Sequence, residues 1–327
     1  MPYDTNTTAT ELVPDYAPLI EGKTILVTGV SPGSLGSSYI QCIAKAKPAC
    51  LILAGRSANK LAKCAEDILA TDPNIEIKIL EIDLSSLNSA RKAADQVNGW
   101  EDVPSIDVLV NNAGIMAVEY QLSADGFESH FATNHLGPFL FTNLIMKKIL
   151  KSASPRVVMV SSDGHRLSPI RFYDYNFDGG KTYNKWTGYG QSKTANMLMA
   201  LSLAKKLGVK YNLQAFSLHP GAILTNLSSH LDWSTDMDGL LSVYRQLGEK
   251  QGWEDQGFTL KNLDRGTATH IYASFDPSLK AHNGAHLVDS HMADPMVDIV
   301  KPWATNDLEA EKLWVLSEKL VGQEFPY

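Results

Sequence analysis

Short apolar runs alternate with amphipathic stretches along most of the chain. Thr24–Thr28 (TILVT), Ala49–Ala54 (ACLILA), Ile75–Leu80, Ile106–Val110 (IDVLV), Arg156–Val160 (RVVMV) and Leu213–Leu218 read as strands. Ser37–Ala46, Ala58–Ala70, Leu87–Val97 and Thr187–Leu207 read as the helices between them. Gly284–Val288 fits a last strand and Leu308–Val321 a final helix. Runs that are apolar at nearly every position imply burial on both faces, as in a parallel sheet sandwiched by helices. The alternation therefore predicts an α/β fold with a three-layer, doubly wound parallel sheet.

Residues 1–20 are polar, rich in Thr and interrupted by Pro14 and Pro18, so they are expected to form an irregular arm. Residues 21–327 contain no repeat, low-complexity tract or Gly/Ser linker, and a single domain with substrate-loop insertions is the simplest reading.

Composition narrows the class. At 327 residues, 44% hydrophobic and 20% charged, the chain is neither disordered nor a disulfide scaffold. A net charge of −7 argues against nucleic acid or an anionic membrane as partner. The three cysteines, Cys42, Cys50 and Cys64, form no CxxC pair; they fit reduced thiols and no metal site. The N-terminus lacks the basic start and apolar core of a signal peptide, and no apolar run nears the roughly 20 residues that span a bilayer. A cytoplasmic protein is expected.

Candidate chemistry begins after the first strand, at Gly29-Val30-Ser31-Pro32-Gly33-Ser34-Leu35-Gly36. Glycines between a buried strand and a helix let phosphates approach the backbone and the helix N-terminus. The second strand ends at Gly55-Arg56, with Ser57 and Lys60 close behind. That is where a dinucleotide fold reads the ribose 2′ position, and an arginine there favours a 2′-phosphate, hence NADP. Asp83, after the third strand, faces either an adenine edge or its own helix start. Tyr189 and Lys193 stand i, i+4 on one helix face. Ser161 and Ser162 end the strand RVVMV, and Asn111-Asn112-Ala113-Gly114 follows IDVLV at the same sheet edge.

The glycine turn, NNAG, FATNHLG around Asn134, the strand-end serine, the Tyr/Lys pair and His219-Pro220-Gly221 occur in this order. Together they resemble the short-chain dehydrogenase/reductase family, strongly over about residues 20–225. In FATNHLGPFLFTN, RVVMVSSDGHR, YGQSKTANML and LHPG the chain is similar to its retinol-dehydrogenase-like and WW-domain-oxidoreductase-like branch, fungal members especially. The resemblance implies a Rossmann fold, an NADP(H) cofactor and a catalytic tetrad of Asn134, Ser162, Tyr189 and Lys193. Tyr189 would be the general acid/base, its phenol acidified by Lys193 and an oxidised nicotinamide. Ser162 would hold the substrate oxygen, with Ser161 its rival if the strand is offset by one. Asn134 would hold a water, or serve only as a backbone-bonding residue at a helix kink. Cofactor contacts are implied at Gly29, Ser31, Gly33, Leu35, Gly36, Arg56, Asp83, Leu84, Asn112, Ala113, Gly114, Tyr189 and Lys193, and at Pro220, Gly221, Ile223 and Thr225 near the nicotinamide. One departure stands out: the third glycine of the turn is displaced to Gly36, with Leu35 in its usual place. His219 reads as packed rather than catalytic, and His165 as a capping or loop residue or a substrate contact.

Residues 172–186 hold six aromatics in 15 positions, against 9% over the whole chain. Phe172, Tyr175, Tyr183 and Trp186 are candidates for one wall of a substrate pocket; a satellite core is the alternative. Residues 226–265, with Trp233, Met237, Leu240, Leu241, Tyr244, Leu247 and Trp253, suggest a lid or a packed surface helix. The expected activity is interconversion of a ketone or aldehyde and an alcohol on a medium-sized apolar substrate. Ketoreduction in secondary metabolism is suggested by the fungal likeness alone. The alternatives are non-redox isomerase, dehydratase or cyclase chemistry with a structural cofactor, and a cofactor-sensing binding protein. Members of the family often dimerise through the helices after the fourth and fifth strands, so a homodimer is one expectation.

Overall fold

The computed structural model describes residues 3–248 and 259–327. Its centre is an eight-stranded sheet. In chain order the strands are β1 (Thr24–Thr28), β2 (Cys50–Gly55), β3 (Glu76–Glu81), β4 (Val108–Asn111), β5 (Arg156–Val160), β6 (Gln214–His219), β7 (Ala222–Ile223), β8 (Leu260–Lys261), β9 (His286–Val288) and β10 (His291–Met292). The order across the sheet is β3-β2-β1-β4-β5-β6-β9-β10, parallel except for the β9–β10 pair. Strands β7 and β8 form a separate parallel pair. The expected three-layer Rossmann architecture is present. Strand order reverses between β1 and β4, and this switch point leaves a crevice outside the strands' carboxyl ends.

Alternate strand residues feed two cores. Ile25, Val27, Leu51 and Leu53 join one, under the helices α1 (Ala9–Ile20), α2 (Leu35–Ala44) and α3 (Ala58–Leu69). Leu26, Ile52, Leu109 and Val157 join the other, under α4 (Leu87–Gly99), α5 (Gly137–Leu144) and α6 (Lys185–Tyr211). Two apolar faces per strand are why these runs show no polar alternation. The first-face helices include α8 (Leu263–Phe275), which follows α7 (Trp233–Gln246); a final helix, α9 (Asp307–Val321), lies on the second face.

The irregular arm expected for residues 1–20 is corrected. Ala9–Ile20 is helical, started by a capping box in which Thr8 and Glu11 bond each other's backbone N–H groups. Leu12, Val13, Tyr16 and Ile20 make a buried stripe packed on α2 and α8. Pro14 and Pro18 lie one turn apart on the exposed side. There the carbonyls they leave unbonded can reach water, so the prolines do not end the helix.

Helix α9 covers α5 and α6, the helices expected to form a dimer face. Trp314 and Phe325 pack on Phe139, and Ser317 bonds His135 at 2.7 Å. Among the described residues no helix is long and apolar enough to cross a membrane.

Candidate active site

The glycine turn is shaped by backbone constraints. Gly29 and Gly33 have φ of +74° and +75°, where L side chains are disfavoured. Ser34 caps α2, its Oγ accepting from the Ser37 N–H at 3.1 Å and donating to the Gly29 carbonyl at 3.2 Å. A Cβ on Gly36 would stand 2.8 Å from Asn112 Nδ2 and 2.9 Å from the Gly29 oxygen. The displaced third glycine thus still permits close helix–strand packing. Leu35 and Ser31 face the crevice, while Gly33 and Gly36 shape the turn without lining it. Thr28, unremarked in the sequence, joins the turn to NNAG: its hydroxyl accepts from the N–H groups of Asn112 and Ala113, both at 3.1 Å.

A cavity of about 1220 Å³ runs from this turn across the sheet's carboxyl edge. Arg56, Ser57 and Lys60 line its β2 end. Leu84, Asn112, Ala113 and Gly114 follow, then Pro220, Gly221, Ile223 and Thr225. Asp83 stands off the wall, and its Oδ1 accepts from the Ser85 N–H and hydroxyl at 2.9 and 2.7 Å, the arrangement of a helix start.

Ser162, Tyr189 and Lys193 meet in this cavity. Asn184 caps α6 through the N–H groups of Trp186 and Thr187, which phases Tyr189 and Lys193 toward β5. The strand offset is resolved. Ser161 donates to the Lys193 carbonyl at 2.8 Å, whereas Ser162 lies beside the Tyr189 phenol and pulls its pKa down. Lys193 Nζ donates to the Val160 carbonyl at 3.0 Å. Asn134 lies in a π-helical turn, Ala132–Leu136, behind the wall. Its Oδ1 accepts from the Ile115 N–H at 2.8 Å, and its Nδ2 donates to the Ile115 carbonyl at 2.9 Å and to Ser192 Oγ at 2.8 Å. Both it and Lys193 crowd Gly114, where a Cβ would lie 3.1 and 3.5 Å from their polar atoms.

Burial dominates the electrostatics. It pushes the Tyr189 phenol up to about 12 and Lys193 down to about 8. Ser162 pulls the phenol back and the nearby Asp163 charge raises it further. Desolvation penalises the phenolate more than the neighbouring side chains support it. His165 is buried, whereas His219 is half-buried and lines the cavity. His219 Nδ1 accepts from the Asp163 N–H, and His165 bonds the Ser162 carbonyl at 2.8 Å.

The aromatic wall is corrected in part. Trp186 and Trp233 line the cavity, with Met116, Met237 and Leu240. Phe172 and Tyr175 instead pack on the main core, Tyr175 against Phe131, and Tyr183 lies behind the wall. Helix α7 forms the wall through Trp233, Met237 and Leu240 and packs on Trp186 and Leu167. Trp253 lies outside the described residues. The sequence reading also missed two ion pairs on the wall, Arg166–Asp163 and Lys261–Asp289. Asp163 directly follows Ser162, which was the available signal.

Comparison with known proteins adds an independent finding. The model of the short chain dehydrogenase family matches residues 23–234. Human retinol dehydrogenase 11 is 33% identical over 303 residues, covering 93% of this chain and 87% of that protein. Short-chain dehydrogenase/reductase prx1 of Penicillium rubens is 33% identical over 332 residues, covering 98% and 92%. A crystal structure of an uncharacterized protein from Mycobacterium paratuberculosis superposes with a TM-score of 0.70 at 30% identity, covering 94% of this chain and 96% of that one.

Proposed function

This chain belongs to the short-chain dehydrogenase family, and from that premise we propose that it is an NADP(H)-dependent oxidoreductase interconverting a carbonyl and an alcohol. One observation carries the reading: Ser162, Tyr189 and Lys193 open onto the same cavity as Arg56 and Lys60. The residues fit a dinucleotide. Gly29 and Gly36 let the turn and α2 pack closely on Asn112 and Ala113, which keeps the turn's backbone at the cavity wall, and Arg56 supplies a cationic fork for a 2′-phosphate.

A bound reduced nicotinamide supplies the hydride. Tyr189 holds the proton that neutralises the developing alkoxide, and at about 12 its phenol stays protonated through neutral pH. Ser162, which shares the cavity with Tyr189, orients the carbonyl oxygen between two hydroxyls. Lys193 places a cation beside the phenol ring and favours the phenolate that forms as the proton leaves. Asn134 ties the Ile115 backbone to α6 and so fixes the floor under Lys193. The wall of Met116, Trp186, Trp233, Met237 and Leu240 suits a medium-sized apolar body. The two ion pairs suit a substrate that also carries a neutral polar group. Three unpaired cysteines suit a reducing compartment such as the cytosol.

The test is reduced-nicotinamide absorbance with a panel of ketones and aldehydes. The reading expects NADPH consumption by the wild type and a loss of at least a hundredfold in Tyr189→Phe, with NADPH affinity retained. Full activity in Tyr189→Phe defeats the mechanism. NADPH binding without turnover on any carbonyl or alcohol favours the non-redox alternative.

A further inference from the structure

Behind the reactive wall lies a buried polar cluster that the mechanism does not use. Glu128 and His130 are both fully buried. The Glu128 carboxylate accepts from the N–H groups of His130 and Phe131, each at 2.9 Å, and lies 2.7 Å from His130 Nδ1. On the other side of the ring, Nε2 accepts from the Val118 N–H at 3.3 Å. That donor fixes the tautomer: the ring proton sits on Nδ1 and points at Glu128. The Val118 carbonyl accepts from the Tyr183 hydroxyl at 2.7 Å. Both backbone polar groups of Val118 are therefore held by this cluster.

Val118 and Met116 line the cavity, and the residue between them, Ala117, is in the left-handed region with φ +48°. An L side chain resists that conformation, so the turn needs external restraint. The same cluster abuts α6. A Cβ on Gly188 would stand 2.9 Å from the Tyr183 ring and 3.2 Å from His130 Nδ1, and the His130 ring packs edge-on to Tyr189 at 6.2 Å between centroids. The cluster thus touches the strained turn on one side and the helix carrying Tyr189 on the other.

We infer that Glu128, His130 and Tyr183 are positioning residues that hold the Met116–Val118 wall at a fixed distance from Tyr189. The inference rests on the proposed reading for its kinetic consequence, though its geometric part does not. With the wall held, Met116 and Val118 confine the part of the cavity they share with Tyr189. With the wall released, the same substrate binds in several poses, few of them reactive.

Two conservative variants, Tyr183→Phe and His130→Phe, remove the bonds to Val118 and keep an aromatic ring in place. Hydrogen–deuterium exchange on the full chain is expected to quicken at least tenfold in peptides covering residues 115–120, with exchange elsewhere unchanged. In the carbonyl assay, kcat and substrate KM are expected to fall together at least fivefold, leaving kcat/KM little changed, while NADPH affinity stays within twofold. Glu128→Gln keeps the shape but has one acceptor oxygen in place of two, so it loses one of the bonds to the His130 and Phe131 N–H groups and is expected to give a change of the same kind. Unchanged exchange at 115–120 overturns the inference, as does exchange that rises uniformly over the chain. So does faster local exchange with an unaltered KM. A wild type without carbonyl turnover defeats the proposed activity instead, and the exchange measurement then decides the positioning claim alone.

Discussion

Lys193 Nζ lies 5.6 Å from the centre of the Tyr189 ring, over its face, with both side chains buried. Burial drives the two groups apart in acidity, Lys193 to about 8 and Tyr189 to about 12. Between those values the lysine is neutral and the phenol still protonated, so the cation is lost before the acid is. The ratio kcat/KM measured for NADPH, which reports the free enzyme, is expected to fall as pH rises through about 8. Lys193→Met is expected to show a low, pH-independent value across that range. A descending limb that survives in Lys193→Met assigns it to another group.

Arg56 stands on the exposed rim where β2 ends, away from the reacting groups. Its substitution should therefore alter cofactor choice without altering chemistry. A charge-assisted bond to a 2′-phosphate contributes about 1.5–3 kcal/mol, roughly ten- to a hundredfold in affinity. Arg56→Asp is expected to weaken NADPH binding by that factor and to strengthen NADH, with kcat at saturation little changed. Titration with both cofactors checks this; equal affinities in wild type and variant remove Arg56 as the selector.

The parts of this site legible in the sequence are those whose side-chain direction is set by a regular period. Tyr189 and Lys193 share a helix face because they are four apart, and Trp186 shares it because it precedes Tyr189 by three. Phe172 and Tyr175 lie in an irregular segment, where no period says which way a ring turns, and they turned into the core. Ser161 and Ser162 alternate across a strand end, and only the position of the Lys193 carbonyl decides between them. Helix α1 was hidden because Pro14 and Pro18 outweighed its stripe of Leu12, Val13, Tyr16 and Ile20. Both prolines proved to face solvent, where their missing bonds cost least. The burial of the Tyr189 phenol depends on everything packed around it, which adjacency to one lysine does not reveal.

Helix α9 occupies the surface of α5 and α6. Trp314 is buried there against Phe139, with Tyr327 closing over it and donating to Asn143 at 2.9 Å. A second copy cannot use that surface while α9 is docked. Sedimentation is expected to give a monomer. Trp314→Ala removes a large buried ring and is expected to cost about 3–5 kcal/mol, read as a lower denaturant midpoint. A stable dimer joined through α5 and α6 in the wild type would contradict the docked position of α9.

Acid should unfold this protein through histidines that the mechanism does not use. His270 is fully buried in α8, and burial pushes it down to about 4, with the Gly266 backbone offsetting part of the shift. Burial likewise holds His165 to about 4 and His135 to about 3. Each is neutral in the folded chain down to its own depressed value, whereas the unfolded chain protonates near 6.5. Between those limits the unfolded state binds more protons, so stability falls as pH drops from about 6.5 toward 4 and is unaffected by these groups above 6.5. The thermal midpoint is expected to decline steadily over that interval. His270→Leu removes one of the linked protons at a site that touches neither Tyr189 nor the glycine turn. It is expected to flatten the acid limb while leaving the midpoint at pH 8 within a few degrees of wild type. An acid limb of undiminished slope in that variant would show that His270 protonates as readily folded as unfolded, and the burial argument would fail for it.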